Sequence, residues 1–159
     1  MNTKPGGVLR ILLPLICAAL AGCQVQGGSE PVEVTALSGD SHCGSSQPRL
    51  ELITDAANLP SAGREQGLAV IDGGGAVLVV DLGRRPTAGY SAELYETALS
   101  NERLTLTLKP TEPDPDAMVA QVITTPCVVL EIPSSGWSRL EVRMDAEGFP
   151  LTLEHPNPG

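Results

Sequence analysis

Short apolar runs, each bounded by Gly, Pro, Asn or Asp, recur along this chain. The clearest is "RLTLTLKP", where Leu104, Leu106 and Leu108 alternate with Thr105 and Thr107. A period of two predicts a strand with one face buried and the other in water. "RLELIT" repeats the pattern with Leu50, Leu52 and Thr54 on one face, and "VEVTAL" can also pair. "TDAANLP" predicts one helical turn, capped by Thr54 or Asp55 and stopped by Pro60; "GREQG" follows as loop. "LAVID" and "AVLVVDLG" flank Gly73-Gly74-Gly75 and predict two strands around a turn. "YSAELYETAL" precedes Ser100-Asn101-Glu102 and the alternating strand. "PTEPDPD" is a Pro-rich acidic loop that cannot join a ladder. "MVAQVITT" and "CVVLEI" predict strands broken at Pro126. "SRLEVRM" and "PLTLE" flank "DAEGF", a hairpin with Gly148 at its turn, and "HPNPG" is expected to fray.

The prediction is therefore about eight short strands with one helical turn and no βαβ alternation. That is a mainly β domain, a small antiparallel sandwich or a partly open barrel. There is no internal repeat.

The N-terminus changes the picture of where this domain works. Lys4 and Arg10 precede the short apolar run "ILLPLICAAL", which ends in Leu20-Ala21-Gly22-Cys23. This looks like a bacterial lipobox, with residues 1–22 as signal peptide and Cys23 as the lipidated residue. The run is too short to span a bilayer. Gln24 follows the cysteine in place of an inner-membrane retention aspartate, which points to the periplasmic face of the outer membrane. Residues 23–47, rich in Gly and Ser, read mostly as a tether, and 48–155 as the single β-rich domain.

Charge narrows the partners. Removing residues 1–22 leaves 8 Lys+Arg against 19 Asp+Glu, or −11. Phosphate binding needs a basic patch, so nucleic acid is excluded as a partner. Anionic lipid is repelled too, leaving acyl chains as the membrane attachment. Cys17 leaves with the signal and Cys23 takes lipid. Cys43 and Cys127 then remain as a pair in an oxidising compartment, where a disulfide is expected. It closes a loop of about 85 residues, worth at most roughly 4.5 kcal/mol. A reactive thiol would need a basic neighbour, and Cys127 has none.

Candidate chemistry is sparse. Gly89-Tyr90-Ser91 begins like a hydrolase nucleophile elbow, but Glu93 occupies the position that needs a small residue, and a strand follows where a helix must. The two histidines, His42 and His155, lie in the tether and the tail, so no base is placed for Ser91. His42 and Cys43 have no second Cys/His cluster to complete a zinc site. "EPDPDAM" lacks the glycine and closing glutamate of a calcium loop. "DGGG" opens no helix, which removes a phosphate cradle. Glu93 and Glu96 are a carboxylate pair with nothing to bury them. Tyr90, Tyr95, Trp137 and Phe149 are too few for a sugar platform, and Trp137 is expected to plug the core. No enzyme activity, cofactor or metal is expected.

A longer pattern does carry a resemblance. "LVVDLGRRPTAGYSAEL", the alternating strand, and "EPDPDAMVAQVITTPCVVLEIP" resemble the C-terminal domain of the protease complex subunit PrcB family over roughly residues 77–133. Ala88 stands where that family has glycine. The resemblance implies a non-catalytic accessory subunit that binds and stabilises a protease partner. Arg84 and Arg85, the only adjacent basic residues of the acidic domain, mark the turn as its partner-facing feature. Pro86, Thr87, Gly89 and Tyr90 complete the partner-binding candidates. Two other classes fit the same residues: an envelope module recognising a peptide, glycan or protein, or a protease inhibitor presenting "KPTEPDPDAM".

Overall fold

The computed structural model describes residues 32–157. Residues 1–31 lie outside them, and with them the expected signal peptide and the expected lipidation at Cys23. Eight strands form two four-stranded sheets: β1 (Thr35–Asp40), β2 (Pro48–Ile53), β3 (Ala76–Leu82), β4 (Ser91–Ser100), β5 (Arg103–Thr111), β6 (Cys127–Ile132), β7 (Arg139–Met144) and β8 (Leu151–Glu154). One sheet has the order β1-β6-β3-β2 and the other β4-β5-β7-β8. The sheets face one another across a core that includes Leu78, Val80, Leu130, Leu104, Leu106, Leu140 and Val142. Trp137 belongs to that core, as expected. The architecture is a two-sheet sandwich, mainly β. It departs from the expected antiparallel layout at one place, where β5 and β7 run parallel. The chain reaches β7 only after passing through the other sheet as β6, and that crossover permits parallel pairing.

The two sheets explain two kinds of strand. β5 has its leucines on the core and its threonines and charges outward. β3 is buried along its whole length, because its second face is covered as well. Val77, Val79, Val129 and Ile53 pack there against Leu59 and Val70. A sheet covered on both sides carries continuous apolar runs.

The cover over that second face corrects the sequence reading. A one-turn 3-10 helix (Ala56–Asn58) is capped by Asp55, whose Oδ1 accepts from the Ala57 N–H at 2.9 Å. Next comes a helix, α1 (Arg64–Asp72), where a loop and a strand were expected. Its N-cap is Gly63 with φ +65° and no side-chain cap, so the usual start signal is missing. The glycine triplet closes this helix and turns no hairpin. The Gly75 N–H donates to the Val70 carbonyl at 2.9 Å and the Gly74 N–H to that of Ile71 at 3.0 Å, with Gly74 at φ +83°. This is the left-handed C-terminal closure that glycine favours.

Three further expectations change. The segment assigned to a tether is packed from β1 onward, since β1 pairs with β6 and covers its edge. "MVAQVITT" forms no strand; only Thr124 and Thr125 make isolated bridges, and Met118, Val122 and Ile123 are exposed. The tail is held at His155, whose N–H donates to the Ser138 carbonyl at 2.8 Å. Its ring meets Trp137 edge-on at 4.4 Å.

Candidate partner-binding site

The connection from β3 to β4, residues 83–90, lies beside the long loop from β5 to β6. Gly83 starts it at φ +77°, close enough to Pro48 that a Cβ would come within 2.8 Å of the ring. The Arg84 N–H donates to the Ser46 carbonyl at 3.1 Å, while the Arg84 side chain is exposed. Arg85 does the opposite. It exchanges two backbone hydrogen bonds with Thr124, at 2.8 and 3.0 Å. Its Nη2 donates to the Leu82 carbonyl at 3.0 Å, and its guanidinium sits 5.6 Å from the Tyr90 ring centre, within cation–π reach. Adjacent in sequence, the two arginines have different work: Arg84 faces water and Arg85 holds the turn.

The same loop secures the rest of the turn. Buried Thr124 donates its hydroxyl to the Thr87 carbonyl at 2.9 Å. The Ala88 N–H donates to the Ala120 carbonyl at 3.1 Å. Gly89 has φ +95°, and a Cβ there would lie 3.0 Å from Pro113. Ala88 keeps a negative φ, as the positive-φ residues other than glycine are Asn101 and Glu102 among the described residues. The left-handed position belongs to Gly89, so alanine at 88 is accommodated without backbone strain. Pro86 and Gly89 are exposed, Thr87 and Tyr90 half-buried. An open hollow of about 430 Å³ lies against Arg84 and Arg85, with Ser46, Pro48 and Glu147 on its walls.

Cys43 and Cys127 are joined, with their Cα atoms 5.8 Å apart. The bond fastens the end of β1 to the start of β6. Beside it the Cys43 N–H donates to the Thr125 carbonyl at 2.8 Å and the Thr125 N–H to that of Ser41 at 2.9 Å. The cystine thus anchors the C-terminal root of the loop that braces the turn. Asp81 pairs across from Cys127 in the β3–β6 ladder and is 1% exposed. Its carboxylate and the two sulfurs lie within 4.8 Å of one another, but the sulfurs are spent on each other. Asp81 instead receives Arg49 Nε at 2.7 Å. That hydrogen bond is the main cause holding the Arg49 guanidinium still more firmly charged than usual. Sequence reading missed this pair; a lone aspartate inside "AVLVVDL" is the signal that could have found it.

Ser91 starts β4 opposite Thr111 and is exposed, so the turn enters a strand and not the helix an elbow requires. His42 bonds Ser41 through Nδ1 at 2.8 Å. His155 Nε2 lies 2.9 Å from the Ser134 carbonyl oxygen. Among the aromatic residues Tyr95 is strongly exposed, at 73%. It stands at the irregularity between Leu94 and Glu96 in the β4–β5 register. Tyr90 lies under Arg85 and Trp137 is buried.

What fold and site define is a β-sandwich domain that presents a rigid, cystine-anchored turn. Residues 76–133, from the start of β3 to just past β6, match the family model described as PrcB C-terminal. The turn, the bracing loop and the strands on either side all fall inside that match. No curated protein and no solved structure matches the chain.

Proposed function

We propose that this chain is a lipid-anchored, non-catalytic accessory subunit that binds a protein partner, a protease in keeping with its PrcB-like domain. Cys23 carries the lipid and places the domain at the periplasmic face of the outer membrane. The observation that carries the reading is the bracing of residues 84–90. Backbone bonds from Arg85 and Ala88 and the Thr124 hydroxyl hold the turn to its neighbour, while Arg84 and Pro86 remain outward. A turn ordered in advance spends little entropy on binding. An outward cation on the turn of an acidic protein supplies orientation.

The test is recovery of the tagged chain from detergent-solubilised membranes, with the co-purifying species identified by mass spectrometry. A protease is expected with the wild-type chain and is expected to be lost with Arg84→Glu. A wild-type chain that brings down nothing, or the same species with both chains, overturns the assignment.

A further inference from the structure

Beside the turn the chain exposes apolar side chains on a braced loop. Met118 is 104% exposed, Ile123 54% and Val122 50%. The Ala117 N–H donates to the Asp114 carbonyl at 2.9 Å and the Val119 N–H to that of Ala117 at 3.1 Å. The second bond spans three residues and puts Met118 at the tip of a tight turn. On the far side Ala120 is tied to Ala88, and Thr124 to Arg85. The backbone under Met118 is therefore fixed on both flanks, while its side chain has no protein around it. Glu112, Asp114 and Asp116 stand exposed on the same loop, and none of them forms an ion pair among the described residues.

We propose that Met118 is the anchor of the partner interface, inserting into an apolar pocket whose rim is basic. This rests on the reading of the chain as a protein-binding subunit, and adds the chemistry of what it binds. Anchors of this kind are apolar side chains that leave water completely on binding. An unbranched thioether adapts its shape to a pocket it enters. The three carboxylates fix the sign of the rim, since unpaired acidic groups next to an anchor draw in a basic surface and repel an acidic one. They also argue against a lipid surface, which would have to accept three charges beside the apolar tip.

Variants of the full lipidated chain in the same recovery experiment test this, with Met118→Asp, Met118→Leu, and the pair Asp114→Asn with Asp116→Asn. Met118 is wholly exposed, so the two Met118 variants melt with the wild type. Met118→Asp is expected to lower partner retention by roughly tenfold or more, and Met118→Leu to keep it. Hydrogen peroxide converts an exposed thioether to the sulfoxide and is itself reduced to water. Met144, the other methionine of the described residues, is shielded at 9% exposure. Brief peroxide treatment is expected to release the partner from the wild-type chain and spare Met118→Leu. The doubly amidated chain, with Glu112 and Arg84 still charged, is expected to show a weaker salt dependence of association than the wild type. Undiminished retention by Met118→Asp overturns the anchor while the subunit reading stands. Retention of nothing by the wild-type chain removes both. Met118-dependent pairing of the chain with a second copy, or with phosphatidylglycerol vesicles, overturns the basic-rimmed pocket.

Discussion

Arg85 and Thr124 satisfy each other's backbone in both directions, N–H to carbonyl at 2.8 and 3.0 Å. Together with the Ala88–Ala120 bond and the Thr124 hydroxyl on the Thr87 carbonyl, this pairing joins the turn leaving β3 to the loop entering β6. It also divides two neighbouring arginines into a structural residue and a presented one.

The division is measurable. Arg84→Glu is expected to change stability by no more than about 0.5 kcal/mol, whereas Arg85→Glu loses the Leu82 bond and the contact with Tyr90 and costs more. Thr124→Val removes the hydroxyl that serves the Thr87 carbonyl at a cost of about 1 kcal/mol. Urea unfolding of the three variants ranks them. Equal losses for Arg84→Glu and Arg85→Glu would contradict the assignment.

The cystine should matter more than any one hydrogen bond. Cys43→Ser with Cys127→Ser is expected to cost up to about 4.5 kcal/mol and to loosen the root of the 112–126 loop. Peptide mapping without reductant should yield one cross-linked peptide, and deuterium exchange at Thr124 and Thr125 should rise in the double variant.

Arg49→Ala leaves the buried Asp81 carboxylate without its cation, and a loss of about 2 kcal/mol is expected. Asp81→Asn keeps the shape and removes the charge, so it should cost less. If the two variants melt together, the ion pair contributes nothing beyond side-chain packing.

On the outer face of the second sheet, the hydrogen bond from Arg143, first among several causes, lowers the Glu141 pKa from its ordinary 4.5. A carboxylate depressed on folding adds stability above its unfolded pKa and loses it as pH falls through the folded value. The stability difference between wild type and Arg143→Ala should therefore be full at neutral pH and shrink below about 4.5. A difference independent of pH between 3 and 7 would assign the effect of Arg143 to packing.

Labelling of cells with an alkyne fatty acid should mark the wild-type chain and leave Cys23→Ala unmarked. Label on the alanine variant would move the lipid elsewhere or remove it from the account.

Several features were legible from residues alone because one chemical rule decided each. β5 was plain because only one of its faces meets the core, which writes a period of two into Leu104, Leu106 and Leu108. The cystine was legible because two cysteines remained once Cys17 and Cys23 had been assigned, and the 84–90 turn because its Pro and Gly carry their own backbone preferences. Other features depended on groups far apart in the chain. A helix at 64–72 had no capping side chain, and its Gly73-Gly74-Gly75 ending looks like a hairpin until the Val70 and Ile71 carbonyls are seen to need donors. The parallel pairing of β5 with β7 follows from a detour of the chain through the other sheet, which no local pattern records. Arg84 and Arg85 are the same residue type one position apart. Thr124, Leu82 and Tyr90 alone determine which of them is held and which is offered, and Met118 looked like a strand residue until no second apolar surface arrived to cover it.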